Sequence, residues 1–224
     1  MARKPRKYIM EKSFIFHVLN RGNARQMVFK QPEDYEYFCR LLRRYMNQYN
    51  FKIYHWVLIP NHFHLEIELN NNKMLSKIMA GITRAYVHYH HRKYNSSGYL
   101  WQGRFKSQPI QKSNYLINCG RYIERNPLRA GLVKLPWNYK WSSCKFYALG
   151  YKDELTDLNP YLSQISSGHS ANAQDPEYQK WIMEADNLEF RGAKEKMIGD
   201  EEFSKSIMKQ GSRYLTWRQG RKTK

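Results

Sequence analysis

The segment Ile59-Pro60-Asn61-His62-Phe63-His64-Leu65-Glu66-Ile67 decides how this chain is built. Pro60-Asn61 is turn chemistry, and the residues after it alternate polar with apolar, the pattern of a strand that buries one face. Side chains two apart on a strand share a face, so the imidazoles of His62 and His64 point the same way while Phe63 enters the opposite layer. The run from Phe51 to Ile59 ahead of the bend reads as another strand, and so short a bend makes the two an antiparallel pair.

Outward from this pair the chain alternates strands with helices. Ser13 to Asn20 reads as a first strand, ended by Arg21-Gly22-Asn23. Pro32-Glu33-Asp34 opens a helix that runs to about Asn50, its acidic first turn favourable to the helix dipole, with Tyr37, Phe38, Leu41, Leu42 and Tyr45 on one face. A second helix spans Met74 to about Tyr94, with a stripe of Leu75, Ile78, Met79, Ile82 and Tyr86, and Asn95-Ser96-Ser97-Gly98 ends it. Arg104 to Ile110 is a further short strand. The order strand, helix, two strands, helix, strand predicts an α+β chain: a ferredoxin-like antiparallel sheet with helices packed on one face.

Ser113 can cap a third helix. At a hundred degrees per residue its Leu116, Ile117, Gly120 and Ile123 form the packing face, and Tyr115, Cys119, Tyr122 and Asn126 fall on a separate stripe offered to the histidine strand. Beyond about Gly150 the composition turns polar. The expected organisation is a catalytic domain over residues 1–150 and a polar, basic extension over 151–224 that has little independent core and contacts DNA.

Lys and Arg number 38 against 19 Asp and Glu, a formal charge of +19 in 224 residues. Such an excess captures polyanions, which makes nucleic acid the first partner to consider. No apolar run is long enough to span a bilayer, and the basic N-terminus lacks a following apolar core, so the expectation is a cytoplasmic, nucleoid-associated protein with no membrane. Cys39, Cys119 and Cys144 are odd in number and far apart, which argues against a disulfide framework or a structural zinc site.

The chemistry lies in two pieces. His62 and His64 supply two nitrogen donors on one face, and Tyr122-x-x-x-Asn126 puts a phenol and an amide on one face of a helix. Each piece has a plainer reading. A lone His-x-His on a strand is more often a packed or solvated pair, and Asn126 before Pro127 also fits the cap of a short following helix. Tyr115, nearly two turns before Tyr122, shares its stripe and is the alternative nucleophile.

Order and spacing favour the chemical reading. Trp56-Val57-Leu58-Ile59-Pro60-Asn61-His62-Phe63-His64, then Trp101-Gln102-Gly103-Arg104-Phe105-Lys106-Ser107, then Tyr122-Ile123-Glu124-Arg125-Asn126-Pro127-Leu128-Arg129-Ala130-Gly131 resemble, in this order, the HUH family of single-strand DNA nucleases. Within it they are most similar to the single-tyrosine transposases of the REP-associated subgroup, over roughly residues 10 to 145. The resemblance implies that His62, His64 and Asn126 hold Mg²⁺ or Mn²⁺, although on affinity alone two imidazoles would favour zinc. It also implies that Tyr122 attacks a phosphodiester of single-stranded DNA, forming a 5′-phosphotyrosine link beside a hairpin such as a REP-like palindrome. A monomer is favoured by this subgroup, and dimers occur among related insertion-sequence enzymes.

Arg84, Arg92 and Lys93 on the second helix, Arg104 and Lys106 on the short strand, and Arg218, Arg221 and Lys222 in the tail are the expected DNA contacts. His88, His90 and His91 splay over different helix faces and read as a solvated surface. Two rival functions remain at this stage. One is a non-catalytic single-stranded nucleic-acid-binding module of ferredoxin-like fold; the other is a phosphodiesterase that uses water and leaves no protein–DNA adduct.

Overall fold

The computed structural model describes residues 14–166, 173–184 and 198–206. Its centre is a four-stranded antiparallel sheet made of β1 (Ile15–Arg21), β2 (Phe51–Ile59), β3 (His62–Leu69) and β4 (Lys106–Pro109), in the order β2-β3-β1-β4. With α1 (Pro32–Tyr49) between β1 and β2 and α2 (Leu75–Tyr94) between β3 and β4, this is the ferredoxin-like arrangement read from the sequence. The short strand is narrower than expected, starting at Lys106 and ending at Pro109.

Strand alternation divides the sheet into two unlike faces. Phe16, Val18, Leu58, Phe63, Leu65 and Ile67 point to one side and form the main core with Phe38 and Leu42 of α1 and Ile78, Ile82 and Tyr86 of α2. α1 is opened by a capping box between Gln31 and Asp34. α2 closes at Asn95, whose φ of 43° is the left-handed conformation that Asn tolerates at a helix end.

The other face carries His17, His64 and Glu66, all buried. A register shift between Ile53 and His55 forms a bulge in β2, and Tyr54 and His55 both serve this second face: Tyr54 joins its apolar cluster, while His55 bonds to Glu124. α3 (Asn114–Glu124) covers it, with Ser113 accepting the Tyr115 N–H at its start. α3 therefore lies opposite α1 and α2. Gly120 allows it to settle: a Cβ there would stand 2.4 Å from the His55 ring.

So close an approach changes the reading of α3's faces. Leu116, Ile117, Gly120 and Ile123 are buried as expected, but Cys119 is fully buried too. It lies only about sixty degrees around the helix from Tyr122, and the depth at which α3 sits brings that flank under the helix beside Glu66.

Both outer strands are covered by later chain. Residues 141–143 run along β2, with Leu58 N–H donating to Trp141 O and Ser143 N–H to Trp56 O, and Ile198 bridges Ile110 beyond β4. Such cover removes an open edge that would invite strand pairing. α5 (Cys144–Leu149) and α6 (Pro176–Met183) share a third apolar cluster of Cys144, Tyr147, Ala148, Leu162, Tyr178 and Ile182. No helix among the described residues is long and apolar enough to cross a membrane.

Candidate active site

Where β3 begins, the sheet and α3 enclose a cleft of about 530 Å³ whose lining includes His62, His64, Tyr122, Asn126, Arg104 and Lys106. The two imidazoles stand edge to face with ring centres 5.0 Å apart, and the Tyr122 ring is 5.7 Å from that of His64. α3 thus delivers its tyrosine to the strand pair. Tyr115 is not brought there. Seven residues earlier on α3 is about 10 Å along the axis, and Tyr115 is not among the residues that line the cleft, although both tyrosines pack against the same apolar cluster.

Both histidines are tied on one nitrogen. His62 Nδ1 lies 2.5 Å from Asn61 Oδ1, and His64 Nδ1 lies 2.8 Å from His17 Nε2. Burial lowers the His62 pKa to about 4, with the Arg21 charge acting in the same direction, and burial sets His64 well below the ordinary imidazole value. Neutral rings with Nδ1 occupied leave Nε2 as the nitrogen that could take a cation, the arrangement in which a metal-binding histidine is oriented by its other nitrogen.

No group of three His, Cys, Asp or Glu side chains among the described residues is arranged to hold a metal. A third donor for a cation would be of another type. Asn126 lines the same cleft, and its Nδ2 donates to Tyr122 O at 2.7 Å and Ile123 O at 3.2 Å. With the amide nitrogen turned to the end of α3, Oδ1 is the atom left for a cation. The same bonds revise the capping alternative: α4 (Asn126–Arg129) starts at Asn126 itself, and the side chain satisfies carbonyls of the preceding helix, not amides of the following one. The residues present therefore fit a hard divalent ion bound through two imidazoles, one amide oxygen and substrate oxygens.

Four features of the site are not among the site residues expected from the sequence. Arg129 places its guanidinium 4.9 Å from the centre of the Tyr122 ring, a cation–π contact on the phenol itself. Arg21 joins the cleft lining. The rings of His17 and His64 are nearly parallel with centres 5.0 Å apart, and His17 Nδ1 meets Gln108 Oε1 at 2.7 Å. Glu66, next on the histidine face of β3, is fully buried, and no donor meets either of its oxygens at hydrogen-bond geometry.

Burial pushes the Glu66 pKa well above the ordinary carboxylate range; the neighbouring Cys119 thiol opposes this, and the Glu124 charge adds to it. Glu124 itself is held by His55, Ser143 and Tyr178. A carboxyl whose folded pKa exceeds its unfolded value binds more protons when folded. Its stabilising share is complete below the unfolded pKa near 4.3 and is lost as pH rises toward the folded one. Glu66→Met should therefore raise stability at pH 8 by about 1–3 kcal/mol, and by less at pH 5. Urea unfolding at the two pH values measures this, and an equal difference at both would count against a protonated Glu66.

The expected DNA contacts separate by layer. Arg104 and Lys106 line the cleft, whereas Arg84, Arg92 and Lys93 ride on α2, which packs against the opposite face of the sheet. Lys93 is also drawn back to Asp34 at 2.8 Å. His90 is buried between Tyr86 and Tyr94 and is not the solvated residue expected. Arg218, Arg221 and Lys222 lie outside the described residues.

The family described as "Transposase IS200 like" matches residues 11–126, just over half of the chain. Among solved structures, the chain is similar to one described as a REP-associated tyrosine transposase bound to a REP hairpin, with 22% identity, a TM-score of 0.53, and coverage of 64% of this chain and 82% of that one. It is also similar to a crystal structure described as a transposase of Deinococcus radiodurans R1, with 14% identity, a TM-score of 0.38, and coverage of 56% of this chain and 95% of that one. No curated protein matches. The first of these structures has the same fold, and with the family match spanning the first strand through the Tyr122 helix, the chain belongs to the IS200-like transposase family.

Proposed function

We propose that this protein is a metal-dependent, single-stranded DNA transposase that cuts and rejoins a strand beside a hairpin of REP type through a covalent phosphotyrosine at Tyr122. The observation that carries this reading is the Tyr122 ring 5.7 Å from His64 in a cleft that also holds His62, Asn126, Arg104, Lys106 and Arg129.

In this reading the Tyr122 Oη attacks the scissile phosphorus; the new O–P bond forms as the bond from phosphorus to the 3′ oxygen breaks. The phenol gives up its proton and the leaving oxygen gains one, so a 3′ hydroxyl is freed and the 5′ phosphate stays on the protein. Attack by a second 3′ hydroxyl reverses the step without ATP. His62, His64 and Asn126 would hold Mg²⁺ or Mn²⁺, which when bound supplies Lewis acidity at the phosphate. Arg129, over the ring, favours the phenolate form and offsets charge at the phosphorus. Arg104 and Lys106 hold the backbone on either side.

A purely nucleic-acid-binding protein of this fold needs no tyrosine beside a histidine pair, and a water-using phosphodiesterase needs no cation on the tyrosine ring. The cleft supports one substrate form: the phosphate must reach Tyr122 between sheet and helix, which suits an open strand better than a stiff duplex. With Mn²⁺ present, a labelled single strand carrying a hairpin should yield a band of protein-linked DNA on a denaturing gel, at least about 100-fold above linear duplex of the same sequence. Equal labelling of both substrates would sink the single-strand reading.

A further inference from the structure

Beneath the His pair runs a hydrogen-bonded chain that no motif includes: Gln108 to His17 to His64. His17 is fully buried, Gln108 is 4% exposed and His64 3% exposed, so water cannot take the place of any member. Strand register assembles it. His17 of β1 is opposite Gln108 of β4 on one side and opposite Glu66 of β3 on the other, which sets His64 on the diagonal of the same face.

The chain has a direction. An amide oxygen can only accept, so at 2.7 Å from Gln108 Oε1 the His17 Nδ1 must donate. A neutral imidazole carries one proton, so His17 Nε2 then accepts, and at 2.8 Å the His64 Nδ1 must donate to it. His64 Nε2 is left with its lone pair. Reversing the Gln108 amide would reverse every bond and place a hydrogen on His64 Nε2, where no cation could bind. In water a neutral imidazole prefers that second tautomer.

We propose that His17 and Gln108 are positioning residues that lock His64 in the tautomer able to bind a divalent cation. This rests on the reading of His64 as a metal ligand, and its test is separable from that reading.

Long-range ¹⁵N–¹H correlation spectra of the metal-free full chain should show His64 protonated on Nδ1 and bare on Nε2; the opposite tautomer would overturn the proposal. His17→Leu removes the acceptor and should weaken Mn²⁺ binding by roughly 10- to 100-fold, whereas His17→Gln, which can still accept from His64, should retain most of it. Hairpin DNA binding in chelator should be the same in both variants, as a purely structural role for His17 would not allow. Mn²⁺ affinity unchanged in His17→Leu would refute the proposal. If His17→Leu does not fold, Gln108→Leu removes the same control one residue further out, and the wild-type spectrum stands by itself. A wild-type protein with the expected tautomer that binds no Mn²⁺ counts against the metal reading alone.

Discussion

Tyr122→Phe is expected to abolish covalent capture of DNA, lowering strand cleavage by roughly four to six orders of magnitude, the scale seen when a covalent nucleophile is removed. Only one oxygen is lost. The ring keeps its contacts with His17, His64 and Arg129, so folding should change by about 1 kcal/mol or less and hairpin affinity should be unaltered. Tyr115→Phe provides the contrast: Tyr115 lies nearly two turns back along α3 and does not line the cleft, and the variant should cleave as the parent does. Adduct formed by Tyr122→Phe and lost in Tyr115→Phe would reverse the assignment of nucleophile.

His64→Ala is expected to be nearly as damaging, lowering cleavage about 10³-fold or more, because a cation at the scissile phosphate is worth several kcal/mol. It removes a ring buried between His17 and Tyr122 and strands the His17 Nε2. The loss should be partly recovered by raising Mn²⁺, since His62 and Asn126 remain in the cleft. Measuring cleavage against Mn²⁺ concentration separates the possibilities: a curve displaced to higher Mn²⁺ supports a ligand, whereas full activity of His64→Ala in chelator rules out a metal role for this residue.

Much of this arrangement is legible without coordinates because it is local. Alternation along β3 puts His62 and His64 together, and a four-residue step on a helix puts Tyr122 beside Asn126; both follow from backbone geometry alone. What is not legible depends on register between distant strands. His17 and Gln108 are 91 positions apart, and only the pairing of β1 with β4 makes them neighbours. A histidine between Phe16 and Val18, within the otherwise apolar run from Ile15 to Leu19, is the signal that was available. Glu66 continues the His62–His64 face by the same alternation, but its burial depends on how deeply α3 settles, which Gly120 permits and no periodicity reveals.

Charge is readable as an amount and not as a location. The basic residues of α2 belong to the layer behind the sheet, and Lys93 is spent on Asp34, a partner some sixty residues earlier in the chain. Arg129 is inconspicuous in sequence, one basic residue among 38, yet its guanidinium covers the Tyr122 ring. The expectation for α3 erred at Cys119, on the flank between its packing face and its site face, and at Tyr115, which shares the stripe of Tyr122 but does not line the cleft.

The most direct measurement is the identity of the residue that becomes joined to DNA. The wild-type chain is incubated with Mn²⁺ and a single strand bearing a hairpin, digested with nuclease and protease, and the nucleotide-bearing peptide is sequenced by mass spectrometry. The expected result is a peptide from α3 with a 5′-phosphorylated nucleotide on Tyr122, together with a DNA product ending in a free 3′ hydroxyl. Cleavage that leaves no residue modified, or a nucleotide on any residue other than Tyr122, would contradict the central claim.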